Sequence, residues 1–106
     1  MDTALLILDF INDIVHPDGK IASAAGFVKE HKVMAHANAS IAFARKHQLP
    51  VVWVKVGFSS NYQECPRQSP IFTRVKQLQA LQLETWGTEF HEEMKVATND
   101  FVLIKP

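Results

Sequence analysis

Three short apolar runs constrain the fold of this chain more than any other feature. Residues 3–8 form the first run and are followed at once by Asp9, residues 51–56 form the second, and residues 101–104 form the third. Continuous apolar runs of this length are typical of strands that are covered on both faces in a parallel sheet. The sequence therefore predicts three such strands, and we expect the first to be the most buried.

Helical and turn patterns separate the predicted strands. Loops are indicated by clusters of Asn, Asp, Pro and Gly, and helices by apolar residues that recur every three or four positions. The β-α-β-α-β order that results predicts an α/β fold with parallel strands and right-handed crossovers. The segments between the strands are a loop over residues 10–27, a helix over residues 28–48, a weaker helix from Pro70 to about residue 82, and a short helical turn that opens at Gly87-Thr88.

Length and charge narrow the function classes. A chain of 106 residues forms one domain at most, since domains usually contain ~100–150 residues. Eleven Lys and Arg residues balance eleven Asp and Glu residues, which argues against partners such as nucleic acid or an anionic membrane surface. No apolar run approaches the ~20 residues that a membrane span needs. Because Cys65 is the only cysteine and no signal peptide is recognisable, we expect a cytoplasmic protein.

The number of predicted strands is small for this kind of fold. A doubly wound sheet carries helices on both faces and normally has five or six strands. With three strands, the first would have an unpaired apolar edge, which natural proteins avoid because such edges promote aggregation. We therefore expect residues 1–106 to be the N-terminal part of a single larger domain. Either the missing C-terminal half or another chain, including a second copy in a homo-oligomer, would complete it.

Two charged residues follow apolar strands at the edge where open α/β sheets bind ligands. Asp9 follows the first strand and Lys105 follows the third. In a 3-2-1 strand order they lie two strands apart, roughly 9–10 Å at a spacing of ~4.8 Å, most of which a lysine can reach. The carboxylate would act as a general base and the ammonium would stabilise negative charge. The alternative is that Asp9 caps a turn and Lys105 is solvated.

Three segments, taken in order, carry a family resemblance. Residues 4–13, Ala-Leu-Leu-Ile-Leu-Asp-Phe-Ile-Asn-Asp, join an apolar run to an aspartate and an Asn-Asp pair. The turn Trp86-Gly87-Thr88-Glu89-Phe90 precedes the final run Asp100-Phe101-Val102-Leu103-Ile104-Lys105-Pro106. Together these segments resemble the isochorismatase-like cysteine hydrolases over the whole chain. The sequence departs from the family at Ile11, where many members carry an amide side chain.

The resemblance implies a fold and a mechanism. The family fold is a three-layer, Rossmann-like parallel sheet of order 3-2-1-4-5-6, of which this chain contains the first three strands. Most members hydrolyse a C–N bond of a small amide or ureide through an Asp-Lys-Cys triad. By resemblance, Asp9 is the general base and Lys105 the second member, while the cysteine would follow a fourth strand beyond Lys105. Some relatives lack the cysteine and cleave a vinyl ether by acid–base chemistry, and this alternative stays open.

The lone cysteine does not take the nucleophile's place. Cys65 lies in the loop after the second strand, before the predicted lysine, and no neighbour in sequence marks it as activated. By resemblance, the oxyanion hole is built beside the family's cysteine, which lies beyond Lys105. The 106-residue chain would then hold a base and a lysine but neither the nucleophile nor the oxyanion hole. We therefore expect the chain to be inactive without the rest of the domain.

Substrate contacts are predicted for three aromatic residues, Phe10, Phe58 and Trp86, because aromatic walls are usual in pockets for small molecules. Ordinary core packing is the alternative for each.

No cofactor is implied. The family's nicotinamidase branch binds a metal just after the second strand, but residues 55–62 contain no histidine and no acidic residue, so no metal site is expected. The five histidines are expected at the surface.

Two other functions remain possible from the sequence. The chain could be a non-catalytic half-domain that assembles with another chain through the edge of its first strand. It could also be a flavodoxin-like binding domain that places Asp9 and Lys105 at strand ends by coincidence. The flavodoxin-like interpretation is weakened because the sequence contains no glycine motif for phosphate binding, neither G-x-G-x-x-G nor a P-loop.

Overall fold

A parallel sheet of three strands forms the framework of the fold. The computed structural model describes residues 2–106. Within them β1 (Leu5–Leu8), β2 (Val51–Val56) and β3 (Phe101–Lys105) pair in the order β1-β2-β3, with both pairings parallel. The predicted α/β class, the parallel strands and their 3-2-1 order are therefore confirmed. The register, Leu8 opposite Val54 and Lys105 opposite Val56, brings the carboxyl ends of all three strands to one edge.

The predicted helix over residues 28–48 is instead two helices. A break at Lys32, which adopts a left-handed φ of 51°, separates them. The first buries Ala25 and Val28 and contacts the short helix after β1, whereas the second packs on β1 and β2. A single straight helix could not contact both the short helix after β1 and the sheet. Tertiary packing therefore overrides the continuous helical pattern of residues 28–48. The helices of the structure are α1 (Asn12–Val15), α2 (Ala25–Glu30), α3 (Val33–Lys46) and α4 (Pro70–Gln77), and a 3₁₀ turn covers Trp86–Thr88.

Two other predicted boundaries were wrong. The segment expected to be a loop over residues 10–27 contains α1 and the start of α2. Helix α4 begins at Pro70 as predicted but ends at Gln77 rather than near residue 82. Beyond it the chain passes through left-handed conformations at Gln79 and Leu81, and the main-chain N–H of Leu81 donates to the Asp13 carboxylate instead of continuing the helix.

The expectation that the first strand is the most buried was also wrong. Val51, Trp53 and Val56 of β2 are buried, whereas Leu6 and Leu8 of β1 are more than half exposed. The reason is topological, because β2 is paired on both sides and β1 lies at the edge of the sheet.

Two apolar clusters stabilise the domain. The α3 cluster lies between the sheet and α3, and the loop cluster lies beyond the carboxyl end of β2. The buried residues of the α3 cluster are Ile7, Ile41, Ala44, Val51, Trp53 and Met94. Those of the loop cluster are Ile11, Val56, Phe58, Tyr62, Cys65, Val75, Ala80 and Leu81.

Across residues 2–106 the longest helix, α3, has 14 residues, and no helix has both the length and the apolar character that a membrane crossing requires.

The residues after β1 fix the turn that precedes β3. The Asn12 side-chain amide donates to the carbonyl of Trp86 at 2.9 Å. The buried Asp13 carboxylate accepts N–H groups from Lys20 at 3.1 Å and Leu81 at 2.8 Å. Gly87 lies directly against that carboxylate, and a Cβ atom at position 87 would overlap it. The turn can pass this close only because residue 87 has no side chain.

Replacing Gly87 by alanine should therefore destabilise the fold. We expect Gly87→Ala to lower the free energy of unfolding by about 1–3 kcal/mol, because the new methyl group displaces a buried carboxylate from its donors. Gly26→Ala is the matched control, since a Cβ atom there meets nothing within 4 Å and the site is in a helix. Urea unfolding monitored by circular dichroism measures both, and equal stability of the two variants would contradict the prediction.

Candidate active site

Asp9 follows the last residue of β1 in an unusual backbone conformation. Its φ is 65°, a left-handed value that is uncommon for residues other than glycine. The main-chain N–H still donates to the carbonyl of Val54 at 2.8 Å, so the residue is fixed to the end of the sheet. Strained backbone of this kind tends to occur at functional sites, where the surrounding structure holds it in place.

Lys105 comes from the other edge of the sheet and meets Asp9. Its ammonium Nζ lies 2.9 Å from Asp9 Oδ2, although the two strands are separated by β2. Strand alternation places Lys105 on the same face as Leu103, and its side chain crosses the end of β2 to the carboxylate. The structure thus brings together the two residues that the sequence singled out for catalysis. Their catalytic role itself remains a prediction.

The two oxygens of the Asp9 carboxylate have different surroundings. Oδ2 accepts from Lys105, whereas Oδ1 is buried and has no hydrogen-bond donor among residues 2–106. Buried carboxylate oxygens nearly always have a partner, because an unpaired one loses its hydration without compensation. Oδ1 is therefore an acceptor that the described residues leave without a partner.

Asp100 anchors the start of β3 and so positions Lys105. Its carboxylate Oδ2 accepts from the Trp53 indole at 2.9 Å, from Arg45 at 2.7 Å and from the main-chain N–H of Ala97 at 2.9 Å. Burial by itself raises the pKa of Asp100. The hydrogen bonds from Ala97, Trp53 and Arg45 outweigh that effect and hold the pKa below its ordinary value of 3.8.

Lys55 makes a contact near this edge of the sheet that the sequence did not predict. It lies near the carboxyl end of β2, and its Nζ donates to the carbonyl of Thr88 at 2.9 Å. The same ammonium is 5.2 Å from the centroid of the Phe90 ring, a cation–π distance. Lys55 thereby ties the 3₁₀ turn to the sheet. The signal in the sequence was a single charged residue inside an otherwise apolar strand.

The three aromatic residues predicted to contact substrate lie in three different surroundings. Phe10 packs against the α3 cluster, and Phe58 is fully enclosed in the loop cluster. Trp86 is half exposed, and its ring meets that of His16 edge-on at 4.9 Å between centroids. The structure does not gather the three into one wall, and substrate contact by each stays a prediction.

Neither Cys65 nor a histidine side chain is a hydrogen-bond or ion-pair partner of Asp9 or Lys105 in residues 2–106. Cys65 is buried in the loop cluster, as the packing interpretation of this residue requires. The expectation that all histidines lie at the surface was wrong for His91, which is buried. Its Nδ1 accepts the main-chain N–H of Glu93 at 3.1 Å, and its ring lies 5.4 Å from that of His16. In residues 2–106 no three or more His, Cys, Asp or Glu side chains converge as metal ligands do.

Comparison with known families identifies the class of protein. The isochorismatase domain model matches residues 3–106, which is nearly the whole chain. The chain therefore belongs to the isochorismatase family, a family of hydrolases, as its three motifs indicated. No curated protein matches the chain.

Solved structures give the same fold. An N-carbamoylsarcosine amidase from Thermoplasma acidophilum is 24% identical to this chain, with a TM-score of 0.70. The match covers 99% of this chain and 52% of the amidase. An isochorismatase family protein from Desulfovibrio vulgaris is 20% identical with a TM-score of 0.77, over 96% of this chain and 51% of that one. A cysteine hydrolase from Pseudomonas syringae is 19% identical, with a TM-score of 0.68, and the match covers 96% of this chain and 45% of that protein. The chain thus spans about half the length of these proteins.

The ion pair should contribute little to stability. Both side chains are partly exposed, and exposed pairs are typically worth ~0.2–1 kcal/mol. We therefore expect Asp9→Asn to change the free energy of unfolding by less than about 1 kcal/mol, since asparagine also tolerates the left-handed φ. Urea unfolding gives the value. A loss of several kcal/mol would show that the pair is a structural element of the fold.

Asp100 should make the fold sensitive to acid. The pKa of Asp100 is lower in the folded protein than in the unfolded chain, where it lies near 4. The carboxylate therefore stabilises the folded state above pH 4, and this stabilisation is lost as the pH falls through the pKa of the folded protein. Asp100→Asn should lower stability at pH 7 by about 1–3 kcal/mol, since it removes charged hydrogen bonds. The variant should also lose less stability than the parent between pH 4 and pH 2. Thermal unfolding across this range tests both statements, and parallel pH profiles would contradict the second.

Proposed function

We propose that this chain supplies the general base and the lysine of a hydrolase that cleaves the C–N bond of a small amide or ureide. The observation that carries the proposal is the contact between Lys105 Nζ and Asp9 Oδ2, beside an Oδ1 that is buried and unpartnered among residues 2–106. An aspartate with one oxygen paired to a cation and the other without a hydrogen bond is suited to accept a proton. The family supports hydrolysis, and the name of the Thermoplasma relative supports an amide-type substrate.

In the proposed reaction, Asp9 Oδ1 takes the proton of a thiol that lies outside residues 1–106. The thiolate sulfur bonds to the carbonyl carbon, and the C–N bond breaks as the leaving nitrogen takes that proton from Asp9. Water then attacks the thioester and gives a proton to Asp9. That proton passes to the sulfur as the C–S bond breaks, which releases the acid and restores both groups.

Lys105 has two tasks in this scheme. Its bond to Oδ2 orients the carboxylate so that Oδ1 faces the reacting groups, and its charge stabilises the negative charge that develops during the attack. Neither task requires Lys105 to exchange a proton. The chain has no other cysteine than Cys65, which is enclosed in the loop cluster, so residues 1–106 alone should not turn over substrate.

The placement of Cys65 also favours a second candidate, hydrolysis of a vinyl ether by acid–base chemistry without a thiol. In that reaction the carboxyl group of Asp9 would donate a proton to the substrate carbon, and water would add to the oxocarbenium carbon and return a proton to Asp9. The hemiketal would then break its C–O bond and release an alcohol and a carbonyl compound. Alkylation of the complete protein with iodoacetamide separates the two candidates. It should abolish activity if a thiol attacks and leave activity intact if none does.

The test begins with the intact mass of the protein in its source. We expect a polypeptide about twice as long as this chain, or a second chain of similar size, that contains a further cysteine. On that protein, Asp9→Asn should lower kcat for release of ammonia from N-carbamoyl compounds or primary amides by roughly 10²–10⁴-fold, the range for loss of a general base.

Asp18→Asn is the control, because the Asp18 side chain is 86% exposed and lies in the loop after α1. It should leave kcat unchanged. Equal rates for the Asp9 variant and the parent would refute the proposal, as would measurable turnover by the isolated 106-residue chain.

A further inference from the structure

A pocket of about 390 Å³, hereafter the His91 pocket, lies where the first turn of α3 meets α2 and the segments after α1 and the 3₁₀ turn. Val15, Val28 and Met34 are the larger apolar residues of its lining. Pockets of this size with apolar walls are typical of sites for small organic molecules. Neither Asp9 nor Lys105 lines it, so the His91 pocket has no residue in common with the catalytic pair.

The N-terminus of α3 forms one wall of the His91 pocket and is uncapped. The N–H groups in the first turn of a helix have no partner within that helix. No side chain caps them in α3, and its first turn contains no acidic residue. The N–H of Ala35, a residue that lines the pocket, donates no hydrogen bond in residues 2–106. Free N–H groups and the helix dipole together favour an anion at such a position.

The side chain of His91 supplies a second donor to the same pocket. It is only 8% exposed, and its Nδ1 accepts the main-chain N–H of Glu93 at 3.1 Å. A neutral imidazole that accepts at one nitrogen carries its proton on the other, so Nε2 is a donor. Nε2 has no hydrogen-bond partner among residues 2–106 and is not sealed inside the protein. Because side chains this buried are nearly always hydrogen-bonded, the pocket lacks an acceptor that Nε2 can use.

The charges around the pocket also favour an anion. Lys29 and Lys32 line it against a single carboxylate, that of Glu93, which is 65% exposed. Lys32 adopts the left-handed φ of 51° that glycine adopts at no cost, so the backbone does not require a lysine there. Two ammonium groups, the helix dipole and two unpaired donors therefore outweigh one exposed carboxylate.

We propose that the His91 pocket binds a small organic carboxylate. The carboxylate would accept hydrogen bonds from Ala35 N–H and His91 Nε2 and pair with Lys32. Its apolar body would lie against Val28 and Met34. Inorganic anions would leave those apolar walls without contacts, so the pocket should favour an organic one.

The test uses hexanoate as the probe and 1-hexanol, which has the same chain length and no charge, as the matched control ligand. NMR titration of the ¹⁵N-labelled protein at its natural length should give a hexanoate dissociation constant in roughly the millimolar range, as expected for so few atoms. The amide signals of Met34 and Ala35 should move. Hexanol should bind about tenfold more weakly or worse, because it lacks charge-assisted hydrogen bonds. Absence of saturable hexanoate binding, or equal binding of hexanol or inorganic phosphate, would overturn the proposal.

Variants test the contribution of each group. Lys32→Gly removes an ammonium and suits the left-handed φ, so it should keep the fold and weaken hexanoate binding by about threefold or more. His91→Phe keeps a ring but removes the donor and should weaken binding by about fivefold. Lys46→Gln is the control, since it removes the same charge from an exposed position at the other end of α3. Equal effects of Lys32→Gly and Lys46→Gln would refute a specific site, even if the His91 variant proves unstable by circular dichroism.

Two further variants separate the His91 pocket from the candidate active site. Lys105→Gln removes the cation beside Asp9 and should leave the hexanoate dissociation constant within about twofold of the parent value. Glu93→Gln removes the opposing carboxylate of the pocket and should tighten binding by about twofold. Loss of binding in the Lys105 variant would place the anion at the active site and refute the proposal. These readouts involve no catalysis, so they stand or fall independently of the proposed hydrolase activity.

Discussion

The buried carboxylate of Asp13 is the group around which the active-site edge of the domain is arranged. Burying a carboxylate is costly unless hydrogen-bond donors replace the lost water. The donors are the main-chain N–H groups of Lys20 and Leu81. Gly87 lies directly against the carboxylate, which is possible because glycine has no side chain. Two regions far apart in sequence, residues 13–20 and residues 81–87, are thereby fixed together at one end of the sheet. Asn12 adds a fourth contact, through the carbonyl of Trp86.

The strained conformation of Asp9 follows from this arrangement. The main chain must leave β1 and turn at once into α1, so that Asn12 and Asp13 reach their partners. A left-handed φ at Asp9 makes that turn and brings the carboxylate toward the face from which Lys105 extends. The cost of the conformation is of the order of 1–3 kcal/mol. The ion pair offsets only part of that cost, so other contacts of the turn must hold the conformation in place.

Much of this could be predicted from the sequence because the relevant signals were local. Apolar runs identified the three strands, and charged residues directly after two of them identified Asp9 and Lys105. The break at Lys32 and the end of α4 at Gln77 could not be predicted, because each depends on partners distant in sequence. The burial of His91 and the contact between Lys55 and Thr88 could not be predicted either, because they also depend on residues distant in sequence. Continuous apolar character in β1 and β3 predicted strands covered on both faces, but among the described residues β1 is covered on one face and no residue of β3 is buried.

The position of β3 affects how long the site persists in its assembled form. None of its five residues is buried, and it pairs with β2 along one side only. Elements with so little buried surface open more often than the domain unfolds, as hydrogen exchange reveals in other proteins. Each opening carries Lys105 away while Asp9 stays anchored to β2 through Val54. Local fraying of this one strand therefore separates the two residues more often than global unfolding does, and a contact along the other side of β3 or over its face would make such opening rarer.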